Sequence, residues 1–319
     1  LANALPQSRL TALDLQGSYL GVQGGIMIAR VLSRCQLTSL NLKGCKVGEA
    51  AQFIIEFLPV SVTFLSLSSN NIRENGYTPI ADAFPKSQLI TLDLSANELG
   101  EWWAIEIAKV LPESQLTTLN LRNNKIRSPG GIAIGNALPK SQLINLDLSR
   151  NIISKTALIK IGNNLPYSQL VSLAVNLSIN LSSYSKKNSG LKDPGGFNAI
   201  KNALPESQVT TLHLENRIEE LASVEIARVL PHTKLTTLNL ERNKVKDKGA
   251  EAIANVLPRT KLVSLNLGYN EIEHEGAIAI ANVLPHTKLT TLSLEGNKVE
   301  DKGAEAIANV LPRTKLVSL

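Results

Sequence analysis

The sequence is poor in aromatic residues: five Phe, five Tyr and two Trp make up 4% of 319 residues. Its core must therefore be built from Leu, Ile, Val and Ala rather than from large rings. Cysteine is nearly absent as well. Two residues, Cys35 and Cys45, cannot make a disulfide framework and are expected as reduced structural thiols in a cytosolic type of environment. Only four histidines occur, His213, His232, His274 and His286. His232 and His286 stand in a Leu-Pro-His-Thr-Lys loop whose other copies carry Arg259 and Arg313. A place that accepts either His or Arg reads as a solvated loop, not as a metal ligand. No run approaches the ~18 uncharged apolar residues of a transmembrane helix, so membrane insertion is not expected. Charge of one sign is scarce too. Lys and Arg are interspersed with Asp and Glu, as in Glu241–Lys248, and the net charge is +6. A nucleic-acid surface would gather that charge into a patch or stripe, so nucleic acid is not an expected partner. Glycine clusters at 129–131 and 194–196 lack phosphate-loop or dinucleotide spacing and read as helix-start turns. No catalytic constellation or cofactor motif appears, and the chain is not expected to be an enzyme.

What the sequence does contain is repetition. The stretches His232–Leu265 and His286–Leu319 are offset by 54 positions and differ at three places: Asn239 against Ser293, Arg242 against Gly296, and Lys246 against Glu300. A fixed period is the signature of a repeat architecture, and here 54 is two periods of 27. The pattern Leu-x-x-Leu-x-Leu recurs with first residues from Leu10 to Leu316, twelve times in all, at spacings of 27 except for 25 into Val62, 39 into Val209 and 26 out of it. Near-alternation of apolar and polar residues, as in Leu235–Leu240, predicts a short half-buried strand. Three residues later stands an Asn: Asn70, Asn97, Asn124, Asn151, Asn243, Asn270 or Asn297. An amide can satisfy both donors and acceptors of a buried turn, so stacked units are expected to line these side chains into a ladder. Cys45 takes that place in one unit; Ser18, Ser178 and Arg217 take it in three others, where the ladder is expected to be weaker. Beyond the turn, Ala250, Ile253, Ala254 and Leu257 recur at helical spacing and predict one buried helix face. Pro258 is expected to stop that helix.

The pattern Leu-x-x-Leu-x-Leu-x-x-Asn/Cys resembles the leucine-rich repeat (LRR) family, and a 27-residue unit with a genuine helix is similar to its ribonuclease-inhibitor-like subclass. The resemblance covers nearly the whole chain. It implies an α/β fold, a right-handed LRR solenoid (horseshoe) with a parallel β-sheet on the concave face and helices on the convex face. Residues 1–319 then form a single array of about 12 units, with an irregular Ser/Asn/Lys-rich insertion near 176–190 that reads as a surface loop. Polar terminal caps are not evident, so the chain reads as a segment of a longer array.

With no chemistry to place, function is expected at surfaces. The residues around each strand should face outward, and most are small and polar. The larger exceptions, Phe64, Arg122, Arg150, His213, Arg242 and Tyr269, are the expected partner-binding residues, since Tyr and Arg are enriched at binding hot spots. The acids Glu241 and Glu295 join them as groups that could orient a partner electrostatically. Trp103 replaces the helix-start Gly of other units, and with Trp102 it offers a second patch or a packing device. The resemblance implies a non-catalytic scaffold that binds another protein through the concave face. The near-identical tandem blocks and the style of Leu138–Asn151 are similar to LRR effectors of intracellular bacteria, which would place the chain in a host cytosol. Regulation of a small GTPase in trans, or service as the sensor array of a larger protein, are the alternatives that the resemblance also allows.

Overall fold

The computed structural model describes residues 2–74, 87–176, 195–215 and 218–319. The chain divides into two compact units, Leu1–Leu170 and Val171–Leu319. The insertion beyond Asn176 and the ladder places Ser178 and Arg217 lie outside the described residues.

In the first unit, strands β1 (Ala12–Asp14), β2 (Ser39–Asn41), β3 (Phe64–Ser66), β4 (Thr91–Asp93), β5 (Thr118–Asn120) and β6 (Asn145–Asp147) pair in parallel, in chain order. Between them run α1 (Gly21–Leu32), α2 (Ala50–Glu56), α3 (Gly100–Val110) and α4 (Arg127–Ala137), and α5 (Lys155–Asn164) follows β6. The second unit repeats the plan with β7 (Ser172–Asn176), α6 (Gly195–Ala203), β8 (Thr211–Glu215), α7 (Glu220–Val229), β9 (Thr237–Asn239), α8 (Lys246–Val256), β10 (Ser264–Asn266), α9 (His274–Val283), β11 (Thr291–Ser293) and α10 (Glu300–Val310). The twelfth strand signal is a single bridge, Ser318 to Thr291. The central leucines stay in register whatever the sequence spacing. Leu40 faces Leu65 across a step of 25, and Leu173 faces Leu212 across a step of 39. Insertions and deletions are thus absorbed outside the strands, because a slip of one residue would turn every leucine to the wrong face.

Each helix buries the face expected from its spacing: Ala250, Ile253 and Ala254 in α8, with Leu257 beyond it, are at most 1% exposed. Helices of successive turns meet on small residues. A β-carbon on Gly276 would lie 3.1 Å from that of Ala250, and one on Gly303 would lie 2.9 Å from that of Ala277. Pro258 does more than end α8. It begins a one-turn 3-10 helix, Leu257–Arg259, where a missing N–H costs nothing. The next residue, Thr260, donates its hydroxyl to Leu257 O (2.8 Å) and accepts from Leu262 N (3.3 Å). This Ser/Thr is buried in turn after turn, at Ser114, Ser141, Ser168, Ser207, Thr233, Thr260 and Thr287.

The ladder runs between turns. Asn151 accepts the N–H groups of Asn124 (2.8 Å) and Ile126 (3.2 Å) and donates to Leu121 O (2.8 Å) and Leu148 O (3.0 Å). Asn97 makes the same bonds to the turn before it. Cys45 supplies only the donor half, its thiol reaching Leu15 O at 2.8 Å. Both cysteines are free thiols.

The start of α9 is capped from the preceding turn. Asp247 Oδ1 accepts from Glu273 N (2.8 Å) and Gly276 N (2.9 Å) at the start of α9. A carboxylate there satisfies orphan donors and meets the positive end of the helix dipole. Asp247→Ala is expected to lower stability by about 1–2 kcal/mol, read as the midpoint shift in denaturant unfolding.

Candidate functional site

The candidate site is the strand face not covered by helices, together with the turn that leaves it. That turn has one fixed demand. The second residue after the third leucine of each described unit has positive φ: Arg150 (φ 56), Arg242 (φ 59) and Tyr269 (φ 55) stand there as Gly17, Gly44 and Gly296 do. Large L-residues are unfavourable in this left-handed region. Three of the residues expected to bind a partner therefore hold places where glycine would be less strained.

The face is less free than its composition suggests. Asp14, Asn41, Asp93, Asn120, Asp147, Asn239 and Asn266 each turn Oδ1 onto the N–H two residues ahead, at 2.8–3.1 Å. One acceptor of each is thus spent on its own backbone. Ser66, Ser68 and Ser149, expected to face outward, are buried at 3%, 3% and 0% exposure. Ser68 and Ser95 meet hydroxyl to hydroxyl at 2.9 Å.

In the second unit four of the expected residues touch in series. The Arg242 guanidinium lies 5.2 Å from the centre of the Tyr269 ring and its Nε is 3.4 Å from Glu241 Oε1. Tyr269 donates its hydroxyl to Glu295 Oε1 at 2.6 Å. Asn266 ties Glu241 to the next strand through Nδ2, at 3.3 Å. The ring lies over Gly296, where a β-carbon would stand 2.4 Å from Tyr269 Cδ1. Glu295 pushes the Tyr269 phenol above its ordinary range, chiefly through this hydrogen bond and then through its charge. Glu295→Gln is expected to bring it back down, because a neutral amide stabilises the tyrosinate where a carboxylate opposes it. An absorbance titration of tyrosinate would show that transition moving to lower pH.

The contacts also explain the duplicated blocks. The turn between the two copies carries Tyr269, Glu271 and His274. On one side Arg242 covers Tyr269 and Lys246 Nζ is 3.9 Å from Glu271. On the other, Gly296 makes room for the ring and Glu300 reaches His274 Nδ1 at 3.5 Å. Asn239 and Ser293 are interchangeable, each accepting the N–H two residues on. Two of the three differences thus fit two faces of one intervening turn.

The other expected residues are spread out. His213 lies on β8 between Ala174 and Asn239. In the first unit Arg122 binds the Ser149 hydroxyl and sits 4.0 Å from Asp147 Oδ2. Phe64 is half-buried on β3, between Ser39 and Thr91, and Arg150 is exposed. Trp103 is 3% exposed and belongs to the core of α3, leaving Trp102, at 55%, alone at the surface. The two rings therefore do not form one exposed patch, because the apolar face of α3 takes Trp103 into the core. Among the described residues no three His, Cys, Asp or Glu side chains gather as a metal site, and no helix is long and apolar enough to cross a membrane.

A family model described as Leucine Rich repeat matches residues 115–135, 232–254, 260–281 and 286–308. No curated protein matches the chain. Among solved structures, an internalin from Listeria monocytogenes is 18% identical with a TM-score of 0.50, over 99% of this chain and 88% of that one. A leucine-rich repeat-containing protein, LegL7 from Legionella pneumophila, is 17% identical with a TM-score of 0.47, over 96% of this chain and 90% of that one. The internalin likeness concerns the fold alone.

Proposed function

We propose, from the premise that the chain is a leucine-rich repeat protein, that it is a non-catalytic scaffold holding another protein against the open face of its sheet. The observation that carries this reading is the series Arg242, Tyr269 and Glu295. Large side chains are held by one another on a backbone place that favours glycine. The fold requires the left-handed backbone in every described turn but not a large side chain on it, and the presence of Arg242 and Tyr269 there points to use. Mutual contacts also preorganise the groups, which lowers the ordering cost of binding.

The test is affinity capture with three baits: the chain itself, one carrying Phe64, Arg122 and Arg150 changed to Ser, and one carrying His213, Arg242 and Tyr269 changed to Ser. Circular dichroism confirms that each is folded. A protein held by the first bait and lost by either variant supports the reading and names the face. Retention by all three ends it. Arg242→Gly is a sharper companion, since Gly296 already fills the same place: it is expected to leave thermal stability within about 1 kcal/mol while weakening capture.

Delivery by a bacterium into a host cell is a second reading. It rests on the tandem blocks and on Leu-Pro-Lys-Ser-Gln turns that resemble those of bacterial effectors. A translocation reporter on the full gene product, appearing in host cytosol, would support it; a product confined to its own cell would end it.

A further inference from the structure

Over its last four turns the rim of the second unit, at the N-terminal ends of its strands, carries basic side chains only, and the turn before them presents Glu206. The four turns that precede Leu235, Leu262, Leu289 and Leu316 present His232 and Lys234, Arg259 and Lys261, His286 and Lys288, and Arg313 and Lys315. Each pair flanks Thr233, Thr260, Thr287 or Thr314, whose hydroxyl is bonded to the 3-10 turn. The first three of these threonines are buried. With the middle residue fixed inward, both neighbours are turned outward, and all but Lys234 are exposed. The first residue of each pair forms one row and the lysines form another. Neighbouring strands lie ~4.8 Å apart, so four turns make a strip ~15 Å long.

Two observations set this strip apart. The first is pairing. Elsewhere in the unit, six of the eight described Lys and Arg (Lys201, Arg228, Arg242, Lys246, Lys248 and Lys298) have a carboxylate within ion-pair distance, and only Lys244 and Lys302 do not. Among the described residues none of the six rim Lys and Arg has one; Lys234 Nζ meets only the amide of Gln208, at 2.9 Å. The second is substitution. The lysine place is filled by Gln36, Gln88, Gln115, Gln142, Gln169 and Gln208 in earlier turns. The same turn thus folds with a neutral side chain, and the lysines are not needed for it.

We propose that this rim is a docking strip for an extended acidic segment of a partner protein. The interface is separate from the open-face site. Unpaired like charges at this spacing repel one another, and a linear anion relieves that repulsion along the whole row. An extended chain rises ~3.3 Å per residue, so about five residues cover the strip and carboxylates on one side recur within reach of successive flexible lysines. The strip is narrow. Glu251 and Glu305 stand on the helix side, and Glu241 and Glu295 at the far ends of the strands, so a broad anionic bilayer would also meet acids. Its interleaved residues are Thr236, Val263 and Thr290, and with no Phe, Tyr or Trp in the strip, base stacking would rest on His232, His286 and the two arginines alone, which disfavours single-stranded nucleic acid.

Fluorescence anisotropy with the full chain tests this. The probes are a labelled peptide of alternating Glu and Ser, its Gln counterpart, an oligothymidylate of equal charge, and vesicles containing phosphatidylserine. The chain is expected to bind the Glu peptide in preference to the other three, with affinity falling about tenfold between about 50 and 300 mM salt. Changing Lys234, Lys261, Lys288 and Lys315 to Gln, the residue of the earlier turns, is expected to cost about tenfold or more in affinity with an unchanged circular dichroism spectrum. Tyr269→Ser is expected to leave this binding unchanged, which separates the rim from the open face. The proposal is overturned if the Glu peptide does not bind, if the four-lysine variant binds it equally, or if the oligonucleotide or the vesicles bind more tightly.

Discussion

Replacing Asn151 by Ala is expected to remove about 3–5 kcal/mol of stability, more than any surface change considered above. The size follows from what the amide holds. Asn151 is 2% exposed, and its loss would strand two N–H groups and the Leu148 carbonyl inside the turn, while Leu121 O would keep only the Asn124 amide, at 3.1 Å. Each orphaned buried group costs about 1–3 kcal/mol, of which local relaxation and water recover part. Asn151→Asp is expected to be as harmful, since a carboxylate cannot donate to Leu121 O and Leu148 O and would itself be buried. Cys45→Ala should cost far less, about 1 kcal/mol, because a single weak S–H donor, shared between Leu15 O (2.8 Å) and Lys43 O (3.8 Å), is lost. Guanidinium unfolding curves of the three variants rank these effects. A loss below about 1 kcal/mol for Asn151→Ala would mean that water replaces the ladder.

The second large effect concerns Gly296. Restoring the arginine of its sister block, Gly296→Arg, is expected to expel the Tyr269 ring and break its hydrogen bond to Glu295. A β-carbon would stand 2.4 and 2.5 Å from two ring carbons, and overpacking of that kind costs about 1–3 kcal/mol. The left-handed backbone is not the cause, since Arg242 occupies the same place at φ 59. A double-mutant cycle separates the two. In a Tyr269→Ala background Gly296→Arg should be nearly neutral, giving a coupling of about 1–2 kcal/mol. Additive costs would show that the ring is not the obstacle. In the single variant the tyrosinate transition should also fall, because the carboxylate that raises it would be lost from the hydroxyl.

Strands, helices and the ladder were legible in the sequence because each signal recurs many times. A weak alternation such as Leu235–Leu240 becomes firm when its equivalent stands at Leu262 and Leu289. The left-handed place was not legible, since Arg, Tyr, Ser, Ala and Asn all occupy it beside Gly; only the backbone reveals the demand. Nor was the burial of Ser66, Ser68 and Ser149, which depends on neighbours across the sheet rather than on the residue. Trp103 could not be told from Trp102 by adjacency, whereas the helix separates them into core and surface. The rim strip escaped for a different reason. Along the chain its lysines are mixed with acids of the next helix, and only the register between turns sorts the two signs onto different edges. Four members of the candidate site in the second unit are joined by contacts that spacing alone did not announce.

The two-sided seat of Tyr269 has a consequence for how such a molecule can be enlarged. A copy of the turn bearing Tyr269 needs arginine on one side and glycine on the other, and its Glu271 and His274 need a base and an acid in the same order. A turn placed between two tyrosine-bearing turns would need glycine for the ring before it and arginine for the ring after it, at one and the same place. The seat therefore does not tile: copies of this region, added singly or in pairs, leave at least one ring mismatched unless they are inserted outside the three turns that hold it.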